Sequence, residues 1–190
     1  MTAFTPNQLA NARLLAYLTD QYPVPAATNN PKYRLKFAVI VAAFTESSLG
    51  DLNYGDAGST SVGFFQQTNG YGTLGARMNP VTALEMFLNG GPQSQTAFLK
   101  TTWEYGDYPS ICRCVQQVQK SQFNGTTVDP KTGQPYPLAG NYIGNINVAI
   151  DVLGQIGIPQ VAPPTLAAQL AAVDTALTTA SAALHAIKAP

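Results

Sequence analysis

The sequence predicts a mainly helical domain interrupted by one polar loop region. Three observations carry this. Apolar residues recur at helical spacing between strong start and stop residues. Residues 51–76 break that pattern and are dense in Gly, Asp, Asn, Ser and Tyr. Within them, only residues 61–67 have the composition of a short strand or turn, so any β element is expected there.

The first helix starts at Thr5-Pro6-Asn7-Gln8. Thr5 suits an N-cap, Pro6 the first helical position, and Gln8 completes a capping box. Leu9, Leu14, Leu15 and Leu18 continue an apolar face to about Tyr22. Residues 23–31 are rich in turn formers. A second helix is expected over 32–49, with Leu35, Val39 and Phe44 on its buried side and Ala42 and Ala43 allowing close packing. Gly50 is its stop. Helical patterns return at 80–88, 93–103, 110–120 and 142–156. Residues 125–140 hold turn signals at Asn124-Gly125, Asp129-Pro130, Thr132-Gly133 and Gln134-Pro135.

The expected domain is therefore 1–158, with a Pro-rich linker at 159–164 and a C-terminal helix at 165–190. In that helix Leu166, Leu170, Val173, Leu177, Ala180, Leu184 and Ile187 follow coiled-coil seam spacing. Two readings stand: a tail helix docked on its own domain, or a stem for self-association or connection to a larger particle.

Composition narrows the partners. Ten basic residues balance ten acidic ones, and only 11% of residues are charged, against about 25% in a typical domain. That balance argues against nucleic acid and anionic membranes, and suits either uncharged polar partners such as sugars or a neutral protein held in a larger assembly that needs no charge for solubility. The longest apolar run, 37–44, is too short to span a bilayer. The N-terminus lacks the basic-then-apolar pattern of a signal peptide, so synthesis in the cytoplasm is expected. Cys112 and Cys114 are two apart and diverge on a helix, which predicts free thiols, at least one of them buried. With His185 distant in sequence, no metal site is expected, and no cofactor. The Gly-rich stretch 55–63 lacks the Lys and Ser/Thr of a phosphate loop.

One carboxyl group stands out. Glu46 falls in the last turn of the second helix, behind Ala42, Ala43 and Phe44 and ahead of the polar loop. Apolar surroundings and the negative end of a helix both favour a protonated carboxyl group. Such a group can deliver a proton to a weakly basic glycosidic oxygen. Trp103, Tyr105 and Tyr108 read as core or rim aromatics, and Glu85 as part of a solvated face.

The order of motifs adds to this. Thr45-Glu46-Ser47-Ser48-Leu49-Gly50 is followed by Asn53-Tyr54-Gly55-Asp56, Ser61-Val62-Gly63-Phe64-Phe65-Gln66-Gln67 and Asn69-Gly70-Tyr71-Gly72-Thr73. Further on come Asn79-Pro80-Val81 and Val118-Gln119-Lys120-Ser121. This series, over roughly residues 9–145, resembles the lysozyme-like, transglycosylase-type domains of actinobacteria and their phages. Gly50, Asp51, Asn53 and Thr68 depart from the family pattern.

The resemblance implies an α+β lysozyme-like fold that cleaves the glycan strands of peptidoglycan, with Glu46 as general acid. It implies Ser61, Gly63, Gln66 and Gln67 beneath the sugar subsites, Tyr71 as an aromatic stacking on a sugar, and Gln119 and Tyr142 on the far wall. Asp56 is the alternative second carboxylate: a hydrolase would use it to activate water, whereas a lytic transglycosylase works with Glu46 alone. A phage lysin, tail-associated or released at cell exit, is the expected setting. The competing reading is a non-catalytic tail component or peptidoglycan-binding module on the same scaffold.

Overall fold

The computed structural model describes residues 3–24, 30–50, 60–92, 96–104, 106–158 and 160. The expected C-terminal helix at 165–190 and all of the linker except Gln160 lie outside them, as does Asp56. Among the described residues the fold is mainly helical, with helices α1 (Pro6–Thr19), α2 (Pro31–Ser47), α3 (Leu74–Met78), α4 (Pro80–Asn89), α5 (Tyr108–Gln119), α6 (Gly140–Gly144) and α7 (Ile146–Gln155). No helix among them is long and apolar enough to cross a membrane.

α2 is the central element. Leu35 and the run from Phe37 to Ala43 are fully buried, so the helix is enclosed all round rather than amphipathic. It packs against α1, α5, α6 and α7. Each large apolar side chain enclosed there stabilises the fold by about 1.5–3 kcal/mol. Phe44, expected on the buried side, is only half-buried because the helix emerges from the core at that turn.

α1 starts as expected: Thr5 Oγ1 accepts from Gln8 N, and Gln8 Oε1 accepts from Thr5 N. It ends at Thr19, before Tyr22, and Leu14 points outward instead of joining Leu15 in the core. α4 begins at Asn79-Pro80, where Asn79 Oδ1 accepts from Val81 N and Thr82 N. α5 begins earlier than expected, because Asp107 caps it by accepting from Ser110 N.

Two expected helices are corrected. Over 96–103 only the 3-10 turn Phe98–Lys100 forms. Phe98 and Trp103 are both buried, yet residues five apart would point about 140° apart on an α-helix. The chain bends instead, and Trp103 joins the aromatic column Phe65–Phe87–Phe98–Trp103, with neighbouring ring centroids 4.8, 5.3 and 5.7 Å apart. The helix expected over 142–156 starts earlier and is split between α6 and α7 at Asn145. The Asn145 side chain donates to Asn141 O and to Thr45 Oγ1, at 3.1 Å each. Such side-chain bonds compete with the helical ladder.

The β content is smaller than expected. Among the described residues there are two isolated bridges, Val62–Gln67 within the expected region and Val128–Pro135 outside it. α3 and the 3-10 turn Asn69–Tyr71 occupy positions expected to be loop. Cys112 and Cys114 are both free and buried, and burial pushes the Cys112 thiol from 9.0 up to about 12.

Candidate functional site

Glu46 lies one residue before the end of α2 and is half-buried. The helix stops at Ser47, ahead of Gly50. Ser48 and Leu49 both take the left-handed conformation, with φ of 55° and 54°, at a cost of about 1–2 kcal/mol per residue. Full burial of Leu49 offsets that strain. The exposed carbonyls of this turn are claimed by α1. Gln8 Nε2 donates to Ser48 O at 2.8 Å, and Asn11 Nδ2 donates to Leu49 O at 3.0 Å and Gly50 O at 2.8 Å. The capping glutamine of α1 thus also holds the end of α2.

From the other side, the buried Ser47 hydroxyl donates to Ala43 O at 2.9 Å and lies 3.1 Å from Phe64 O. Phe64 belongs to the turn closed by the Val62–Gln67 bridge. Gly63 opens this turn with φ of +74°, and a Cβ there would lie 2.4 Å from Arg77 O. Only glycine fits so close an approach at that angle. Gln66, also left-handed at φ 45°, donates its side-chain amide to Gly63 O at 3.1 Å.

Arg77, nearly fully buried, ties this turn to the 3-10 turn Asn69–Tyr71 and to α3. Its guanidinium donates to Gly72 O, Gln67 O and Asn69 Oδ1, and also to Thr60 O. Nothing in the sequence marked Arg77 out, because an arginine in a short helix ordinarily reads as a surface charge.

Tyr142 touches Glu46 directly. Its hydroxyl donates to Glu46 Oε1, although the two residues are 96 apart in sequence. The Tyr142 side chain is fully buried. Burial first, and then the Glu46 carboxylate, push its phenol far above the ordinary value. Tyr142 therefore keeps its proton and presents a permanent donor to the carboxylate. Tyr71 is also raised, by burial and then by the charge of Glu46, which places it near the same group. Behind Tyr142, Ser121 Oγ donates to Gln116 Oε1 at 2.7 Å, and Asn141 Nδ2 donates to Ser121 Oγ at 3.3 Å.

Apart from Asp56, which lies outside the described residues, the residues expected at the site fall into three groups. Glu46, Tyr142 and Tyr71 are brought together. Ser61 and Gln66 are half-buried on the adjoining turn. Gly63, Gln67 and Gln119 act within the fold: Gln67 is buried and donates to Ala83 O at 2.9 Å, and Gln119 donates to Phe65 O at 2.8 Å.

Three of these roles are corrected. Tyr142 is the direct partner of Glu46 rather than part of a far wall. Gln67 is an interior tie rather than a groove residue. Tyr71 has its ring buried and its hydroxyl donating to Val118 O at 3.0 Å, so it backs the site and is not laid open for stacking. Asn145, Asn11 and Arg77 carry no signal of their roles in the sequence, nor is the second role of Gln8 as donor to Ser48 O signalled there, and only their partners in space reveal them.

Chemically, the arrangement is a half-buried carboxyl group at the negative end of a helix, with one oxygen held by a phenol that does not titrate in the working range. Among the described residues, no group of three His, Cys, Asp or Glu side chains could hold a metal. No protein-family model matches the chain, and neither a curated protein nor a solved structure matches it.

Proposed function

We propose that this chain is a lysozyme-like enzyme that cleaves peptidoglycan glycan strands, with Glu46 acting as general acid and then as general base. One observation supports the reading most: Glu46 is half-buried at the end of α2, with Oε1 fixed by the buried Tyr142 hydroxyl. A proton-transfer group needs a fixed direction and partial shelter from water, and this one has both.

The single-carboxylate route balances without water. Glu46 gives its proton to the bridging oxygen as the C1–O bond breaks. The carboxylate then takes the proton of the sugar's own 6-hydroxyl, whose oxygen closes onto C1 as an anhydro ring. Tyr142 holds Glu46 Oε1 through both steps and gives up no proton. Hydrolysis, with Asp56 activating water, is the competing route. The setting that fits is a phage lysin acting on the wall at cell entry or exit.

The test is incubation of the purified chain with peptidoglycan, followed by mass analysis of released sugars. Anhydro-muramyl ends are the expected result. Reducing ends would replace the transglycosylase route with hydrolysis. Binding without release would leave a peptidoglycan-binding or tail module and overturn the enzymatic reading.

A further inference from the structure

A cavity of about 420 Å³ opens beside the C-terminal half of α5, lined by Arg113, Gln116, Gln117, Lys120, Ser121, Asn124 and Leu138. Among the described residues, no acidic one lines it, in a chain whose overall charge is zero. Arg113 lies within α5 and Lys120 is its left-handed C-cap residue, and both line the cavity. Both are exposed. Arg113 reaches Ser110 Oγ at 3.3 Å and is felt by the exposed Asp107 at the helix start. Lys120 makes no salt bridge among the described residues.

The rest of the lining sets the kind of anion. Leu138 is 48% exposed and forms an apolar wall, to which the stems of Arg113 and Lys120 add. Asn124 is occupied within its own turn, accepting from Thr126 and Thr127 and donating to Thr127 Oγ1. The cavity adjoins the C-terminal end of α5, where Gln116 O accepts from Lys120 N and Val118 O from the Tyr71 hydroxyl. A compact phosphate carries no apolar part to cover Leu138. A peptide carries apolar groups for Leu138 and a carboxylate that matches a guanidinium fork.

We propose that this cavity binds a carboxylate-bearing peptide, with Arg113 and Lys120 pairing its carboxylates and Leu138 packing against its apolar part. Identifying that peptide with the peptide stems of peptidoglycan rests on the function proposed above; the carboxylate chemistry of the cavity does not. Ser121 links the two regions, because it lines the cavity and its hydroxyl accepts from Asn141, the neighbour of Tyr142.

The experiment is calorimetric titration of the full chain with N-acetyl-Ala-Glu, with its diamide and with inorganic phosphate. The variant Arg113→Gln with Lys120→Gln removes both charges from exposed positions, and circular dichroism checks its fold. The dipeptide is expected to bind one to one, at least about tenfold more tightly than the diamide, and at least about tenfold more weakly to the double variant. Phosphate is expected not to compete. Equal binding of the diamide, unchanged affinity in the folded double variant, or equal competition by phosphate would overturn the assignment. Glu46→Gln should bind the dipeptide as the parent chain does, so failure of the cleavage reading and failure of this one are seen separately.

Discussion

Two helix ends in this molecule hold their polar side chains differently. The end of α2, which carries Glu46, is held by residues far away in sequence: Gln8, Asn11 and Tyr142, with the Asn145–Thr45 bond one residue before Glu46. The end of α5, next to Lys120, also has distant ties, from the Tyr71 hydroxyl to Val118 O and from Gln119 to Phe65 O, but on its cavity side the holding bonds are local, with Gln116 bonded to both the backbone and the hydroxyl of Ser121. Both ends use a left-handed non-glycine residue, Ser48 and Lys120. The difference lies in what corrects an error. At α2 the position of one carboxyl group is over-determined by the whole fold, as proton transfer requires. At α5 Arg113, Gln117 and Lys120 stay exposed, as a binding cavity tolerates.

The comparison can be broken most sharply at Gly63, which backs the α2 end through Phe64 and Ser47. Gly63→Ala would force a Cβ to within 2.4 Å of Arg77 O at positive φ. A loss of about 3 kcal/mol or more is expected, seen as a fall in Tm of roughly 6–12 °C. A change under 1 °C would show that the turn is not rigidly coupled to Arg77.

Alkali should act next. Burial raises Cys112 from 9.0 to about 12 and also raises Tyr33 and Tyr142. With folded values above unfolded ones, the unfolded chain loses these protons first. The stability they contribute is complete below pH 9 and for Cys112 is lost between pH 9 and about 12. Each such group tilts stability by about 1.4 kcal/mol per pH unit in its window. Urea titrations at pH 8, 9.5 and 10.5 would read this, and Cys112→Ala should flatten the slope. A slope identical in that variant would remove Cys112 from the account.

Asn11→Ala removes two bonds to the α2 end and should cost about 1–2 kcal/mol. Its effect on glycan cleavage should exceed that of Gln117→Ala at the α5 cavity, measured as initial rates. The smallest effect is a gain. Ser48→Gly, at φ 55°, should stabilise the chain by about 0.5–1 kcal/mol by relieving left-handed strain. A loss instead would mean that the Ser48 side chain contributes more than its backbone costs.

The parts of this fold legible in the sequence were those written in short-range chemistry. Thr5-Pro6-Asn7-Gln8 forms a capping box, and Asn79-Pro80 starts a helix, because each depends on atoms three residues apart. Glu46 could be located at a helix end for the same reason. What was not legible depends on space. No local pattern says that Trp103 leaves a helical path to extend an aromatic column, or that Asn145 breaks a helix to reach Thr45. Tyr142 could be named as a site residue, but its bond to Glu46 spans too many residues for spacing to reveal it. Gln67 and Tyr71 looked like ligand-facing groups because polar and aromatic residues near a glycine turn often are; burial reassigns both.

The central claim is that Glu46 moves the proton and that the rest of the site holds it in place. Its most direct test is Glu46→Gln, an isosteric change that keeps an acceptor oxygen for Tyr142. Release of soluble sugars from peptidoglycan should fall by about 10²–10⁴-fold, while sedimentation of the variant with intact peptidoglycan stays unchanged. Release at the parent rate by a folded Glu46→Gln chain would contradict the account.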